Sequence, residues 1–200
     1  IGLGTAMIST LFFVQNQLLE EAKFEGKEDQ PNMLLFDIQT HQVNEVRERV
    51  LDQGLRILQQ VPIVTMGLSE INGLDKTDNE ELEDEQKRSN SLYNREFRVT
   101  YRDSLIDSER LLEGKLHRVQ NPGDSIFVSF DKGYAERTGV NLGDEIIFNV
   151  QGRPITTYVG SFRDISFRQL STNFLVLFPD QVLNNAPQFH VIITKTKDDR

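Results

Sequence analysis

The chain reads as an α+β protein with a largely antiparallel sheet component. Three observations predict this. Several short stretches alternate apolar and polar residues, as in Phe97, Val99 and Tyr101 against Glu96, Arg98 and Thr100. One stretch alone, Val43, Val46, Val50 and Leu51, recurs at helical spacing over more than two turns. The strand-like stretches are separated by short turn signals and fall mostly after the helix.

The first element is apolar. Ile1–Val14 reads IGLGTAMISTLFFV, without a charged residue. A membrane helix needs about 20 mostly apolar residues. The run is shorter, yet it opens without an initiator Met and without a basic leader. It is expected to be the outer end of a membrane helix that begins upstream, with residues 1–24 forming that end and a stalk. Residues 5–24, if helical, would span about 30 Å. A signal peptide would need Lys or Arg ahead of the apolar core and a small-residue cleavage site. An interfacial helix would need a polar face, which Leu11-Phe12-Phe13-Val14 lacks. A buried helix of a globular protein is the remaining alternative.

After a polar connector ending in Gln30-Pro31-Asn32, Met33–Ile38 has strand length. Thr40 is placed to cap a helix over Val43–Leu51, and Gly54 to end it in a left-handed conformation. A second apolar stretch runs from Leu55 to Leu68, where Pro62 predicts an edge or a bulge in its early part. Asn72-Gly73 turns the chain. Residues 33–72 therefore read as one βαβ-type unit. Residues 74–92, LDKTDNEELEDEQKRSNSL, read as a solvated loop or short exposed helix, an acidic and mobile insert.

Strands are expected over Asn94–Tyr101 and Ser125–Phe130, with Asp103–His117 irregular between them and a turn at Asn121–Asp124. Lys132–Gly139 reads as one or two helical turns closed by Gly139. Ile146–Val150 and Ile155–Gly160 flank Gln151-Gly152-Arg153-Pro154 as a β-hairpin, which Phe162–Phe167 continues. Asn173–Phe178 and Phe189–Thr194 are the last strands, with a short helix or turn at Gln181–Asn185. Phe162, Phe167, Phe174 and Phe178 are assigned to core packing.

Composition excludes several functions. With 22 Lys and Arg against 31 Asp and Glu, the net charge is -9. Nucleic-acid phosphates demand a basic stripe, which such a chain does not supply. Cys is absent, which removes disulfides and thiolate chemistry. His41, His117 and His190 are scattered, without the i,i+4 spacing that puts two ligands on one helix face. Asp78, Glu80, Glu81, Glu83, Asp84 and Glu85 lack the Gly that an EF-hand loop needs. No phosphate loop or G-x-S-x-G elbow occurs. No catalytic, cofactor-binding or metal residue is assigned, and no cofactor is expected.

Three segments together carry a resemblance: IGLGTAMISTLFFVQNQLL, then PNMLLFDIQTHQVNEV with VPIVTMGLSEING, then NREFRVTYRD followed by GDSIFVSFDKGYAERTGVNLGDEIIFNVQGRPITTYVGSFRDI. In this order they resemble the extracytoplasmic (periplasmic core) domain of FtsX/MacB-type ABC-transporter permeases, in particular a YbbP-like subgroup. The resemblance implies a MacB-like core. It has a mixed α/β porter-type subdomain over 32–123 plus 169–197 and an inserted small β-rich subdomain over 124–168. It also implies an inner-membrane location with this domain on the extracytoplasmic side. ATP hydrolysis falls to a separate cytoplasmic ABC ATPase subunit, and the domain carries no catalytic residues. The implied partners are that ATPase, through the rest of the permease, and a periplasmic protein or lipophilic substrate. A homodimer or pseudo-dimer of outer domains also fits the resemblance. The competing readings are a membrane-anchored lipid- or lipoprotein-binding module without transport, and a membrane-tethered hydrolase.

Overall fold

Two strands are much longer than the others, and the sheet is organised around them. A computed structural model describes Met7 and residues 9–15, 31–84, 87–121, 123–166 and 171–196. The strands are β1 (Met33–Gln39), β2 (Arg56–Ile71), β3 (Glu96–Tyr101), β4 (Glu109–Gly114), β5 (Phe127–Asp131), β6 (Glu145–Val150), β7 (Arg153–Ile165), β8 (Val176–Phe178) and β9 (Gln188–Lys195). The helices are α1 (Val43–Asp52), α2 (Lys76–Glu81), α3 (Ser91–Asn94) and α4 (Lys132–Thr138). All nine strands join one sheet, so the fold is α+β as the sequence predicts.

The long strands close part of this sheet on itself. β2 pairs with β3, β3 with β8, β8 with β5, β5 with β7, β7 with β6, and β6 again with β2. Six strands thereby form a barrel, in which β3–β8 and β5–β7 are parallel and the other pairings antiparallel. Every one of these strands contributes to a single apolar cluster, including Val64, Met66, Phe97, Phe130, Phe148, Val159 and Phe178. A small barrel is filled by its own side chains, and alternation along each strand supplies them. Phe97 meets Phe148 edge-on at 5.8 Å, and Phe148 lies 5.5 Å from Phe178. Leu92 of α3 and Tyr134 and Ala135 of α4 complete this core.

Outside the barrel, β9 pairs antiparallel with both β1 and β2. β1 and β2 are thus parallel with β9 between them, a split β-α-β unit rather than two adjacent strands. α1 packs Val43 and Val46 on Leu35, Ile38, Ile57 and Ile192. β1 carries a bulge between Leu35 and Ile38, with Asp37 at φ 59°. The extra residue returns Ile38 to the helix-covered face while Leu34 and Phe36 stay on the opposite one.

A buried ionic network ties four segments together. Arg163 of β7 is fully buried and pairs with Glu109 of β4 at 3.2 Å. Its two terminal nitrogens donate to the backbone carbonyls of Ser129 on β5 and Phe174 just before β8. The second oxygen of Glu109 accepts from Arg102 at 2.5 Å, and Arg102 also donates to the Ser104 carbonyl. Burial pulls the Arg163 pKa below its ordinary value, and Glu109 opposes that pull.

Several expectations are corrected. Asp103–His117 is not wholly irregular, since Glu109–Gly114 forms edge strand β4. Its bulge between Leu111 and Glu113 erases the alternation that marks a strand in sequence. Asn173–Phe178 shortens to Val176–Phe178, because Thr172 bonds the Gln59 side chain and the Phe174 carbonyl turns to Arg163. The expectation for Pro62 holds: residues 56–63 of β2 pair with β9 alone, after a bulge between Ile57 and Gln59, and Pro62 faces His190 across that ladder. Its carbonyl faces β3 and accepts from the Thr100 hydroxyl at 2.8 Å. The missing N–H faces the same side, above the last β2–β3 pair at Val64 and Val99, so no ladder bond is lost. Thr40 does not cap α1. The N-cap is Gln42, without a side-chain cap bond, and Thr40 instead donates to the Gln188 carbonyl.

The acidic segment is more structured than a solvated loop. Asp75 and Asp78 form a capping box on α2. Buried Asn79 bonds the Arg88 backbone at both N–H and carbonyl, and Arg88 pairs with Asp144 at 3.0 Å. Glu85 lies outside the described residues.

Removing one member of a buried pair strands the other, at a cost of about 3–5 kcal/mol. Arg163→Met or Glu109→Gln should therefore lower unfolding free energy in urea by about that amount, while Arg110→Ala, at an exposed pair, changes it by under about 0.5 kcal/mol. Gly114→Ala should also destabilise. Gly114 sits at φ 72°, and a Cβ there collides with the Gly160 carbonyl. The expected loss is above about 1 kcal/mol by the same urea measurement.

Candidate functional site

The face of the split unit away from α1 carries an open apolar groove of about 420 Å³. Its floor is Ile63 of β2 and Val191 of β9, and one wall is Leu34 and Phe36 of β1. The other wall is Ser171–Leu175, the segment whose backbone Arg163 holds at Phe174. Strand parity explains the lining. Phe189, Val191 and Ile193 of β9 point to this face, and His190 and Ile192 to the helix-covered one. Leu34 and Phe36 are 43% and 52% exposed, an unusual state for large apolar residues side by side on one strand. Phe36 meets Phe189 edge-on at 5.0 Å.

The mouth of the groove is polar. Arg95, Glu96 and Arg98 lie along it. Arg98 pairs across the ladder with Thr65, and its guanidinium sits 5.9 Å from the centre of the Phe36 ring. A second cleft, lined by Gln39–His41, Thr65, Gln151 and Ala186–Phe189, presents mainly neutral polar groups and no comparable exposed apolar floor.

The histidines are not brought together. His41 is exposed in the turn before α1, and His117 stacks on Phe127 at 4.2 Å. His190 lies between Ile38 and Pro62, with both ring nitrogens buried and unpaired. Burial lowers the pKa of His190, and burial followed by Lys115 lowers that of His117. Among the described residues no three His, Asp or Glu side chains gather to hold a metal ion. Phe162, Phe174 and Phe178 are buried, and Phe167 lies outside the described residues. Sequence reading missed the groove. Its one signal was Leu34 and Phe36, which a strand with a regular helix-facing side would not both need.

Of the opening segment, Met7 and residues 9–15 are described and helical. Leu11, Phe12 and Phe13 are exposed, the last at 72%. Among the described residues no helix is long and apolar enough to cross a membrane.

No protein-family model matches the chain. It is 25% identical over 186 residues, 93% of its length, to the uncharacterized ABC transporter permease YbbP of Escherichia coli K12. The chain spans about a fifth of the length of that relative, 21%. A solved domain assigned to a permease protein of Porphyromonas gingivalis matches at TM-score 0.35 and 13% identity, over 76% of this chain and 67% of the other. Over almost its whole length the chain is therefore similar to a part of an ABC-transporter permease. Within that class its similarity is to YbbP, the kind of permease that the opening, βαβ and hairpin segments suggest.

Stability should depend on pH through His190. Its folded pKa lies below the ordinary imidazole value, so below about pH 6.5 the unfolded chain binds the proton more readily. Stability is therefore full above that pH and falls as pH drops toward the folded pKa. Urea midpoints between pH 8 and 5 should decline for the wild type and decline less for His190→Leu.

Proposed function

We propose that this chain is the extracytoplasmic domain of an ABC-transporter permease, which couples ATP hydrolysis in a separate cytoplasmic subunit to rearrangement, export or extraction outside the inner membrane. The observation that carries the reading is the alignment with YbbP over almost the whole chain. The exposed apolar helix at residues 9–15 supports it, since such a surface needs lipid or protein to cover it. In this reading residues 1–24 are a membrane-helix end and stalk. The porter-type part is 32–123 with 169–197, and the β-rich part is 124–168. The groove is the surface that meets a lipophilic substrate or an outer protein.

Mechanical coupling asks for a body that moves as a unit, and the closed barrel supplies one. It has its own filled core and no free edges among its six strands. Coupling does not require a catalytic group in this domain. The groove also favours a second reading, a membrane-anchored lipid- or lipoprotein-binding module that works without transport.

This stretch has no Cys, so with any cysteines elsewhere in the permease replaced, single cysteines here report cleanly. In the full permease, Leu142→Cys and Phe36→Cys should react with a membrane-impermeant maleimide in intact cells. The rate at Phe36→Cys should change at least about twofold when the partner ATPase is made hydrolysis-deficient. Reaction only after lysis overturns the sidedness. Outside reaction at a rate indifferent to the ATPase selects the binding module.

A further inference from the structure

The groove does not share the charge of the chain. Acidic residues exceed basic ones by nine overall, yet the groove mouth holds Arg95 and Arg98 against Glu96 alone. Among the described residues neither arginine has a carboxylate within ion-pair distance, unlike Arg49 with Glu45 or Arg110 with Asp164. Both are instead held against aromatic rings. Arg98 lies over Phe36, and Arg95 lies 5.5 Å from the Tyr134 ring centre. A guanidinium laid on a ring keeps its N–H edge free to donate. Just inside them begins the apolar floor of Phe36, Leu34, Ile63 and Val191.

We infer that the groove binds an anionic amphiphile, a molecule with one apolar chain and a negatively charged head. The chain lies along Leu34, Phe36, Ile63 and Val191, and the head receives its donors from Arg98. Two features select this occupant. The floor is apolar and of small-molecule size, about 420 Å³. The mouth carries a planar donor without an ion-pair partner, Arg98, suited to a carboxylate or phosphate. The inference rests on the groove being the ligand-contacting surface of the proposed permease domain, and adds the sign of the head group.

The test is equilibrium dialysis of the full chain with three probes of one chain length, laurate, dodecanol and dodecylammonium, each below its micelle concentration. Laurate should bind at one site per chain, about tenfold or more tighter than dodecanol, with dodecylammonium weakest. Arg98→Gln should cost laurate about tenfold and leave dodecanol unchanged, and Arg98→Lys should restore part of the loss. Leu34→Ser, with an unchanged thermal melt, should weaken laurate and dodecanol alike. Equal affinity for laurate and dodecanol, or indifference to Arg98→Gln, overturns the head-group assignment. Failure of all three probes overturns the site altogether, and a dimer that Leu34→Ser dissociates would then name a second copy as the occupant. The maleimide experiment does not involve these probes, so the permease reading stands or falls separately.

Discussion

The Arg163 side chain is the constraint on which the architecture depends. It is a cation with no access to water, at the point where β7 leaves β5 and meets β4. A buried guanidinium is tolerated only when its donors are spent. Glu109 and two backbone carbonyls take one bond from each of its three nitrogens, and each acceptor belongs to a different segment. The Phe174 carbonyl matters most for the site. It fixes the end of Ser171–Leu175 where that segment enters β8, and so sets one wall of the groove. Arg102 then neutralises the remaining oxygen of Glu109 and closes the network at the end of β3. The groove wall is thus positioned by a polar lock, while its floor is positioned by ordinary strand alternation.

The rest of the molecule divides by stiffness of construction. The barrel has hydrogen-bonded neighbours on both sides of each strand and a single apolar core. The split unit has a free edge at β1, blunted by the bulge at Asp37 and by its exposed charge. A latch holds the acidic segment to the barrel: Arg88 reaches Asp144, while Asp144 also accepts from Asn72 and the Asn141 backbone. One carboxylate thereby connects the insert, the turn after β2 and the entry to β6. The acidity of residues 74–92 is mostly displayed to solvent, while buried Asn79 and Leu92 anchor the segment.

Local elements were legible in the sequence wherever one residue pattern fixes the backbone. α1 followed from its helical spacing. The β6–β7 hairpin followed from Gln151-Gly152, which take φ 49° and 89°. Gly54 and Gly139 end their helices at φ 71° and 78°, as placed. What failed was set by partners distant in sequence. β4 is recruited by β7 despite its bulge, and β9 enters between β1 and β2 from the far end of the chain. Arg163 gave no warning, since an Arg in an alternating strand ordinarily reads as solvent-facing. The groove required knowing that Leu34, Arg98 and Phe174 share one face, which no local pattern contains.

That shared face also bears on how binding and movement could meet in the proposed permease. The groove lies across the join between split unit and barrel: Ile63 and Arg98 belong to barrel strands, Leu34 and Val191 to the strands outside it. A ligand lodged there would touch both parts at once. Any displacement of β1 and β9 relative to the barrel would change the distance between the apolar wall at Leu34 and the cation at Arg98. An occupant held at both ends opposes that displacement, and by reciprocity the displacement lowers its affinity. Leu34 and Phe36 follow directly on the polar connector from the apolar opening helix. If the proposed mechanical coupling runs through that helix, a pull on it would reach the wall of the groove first and the barrel second.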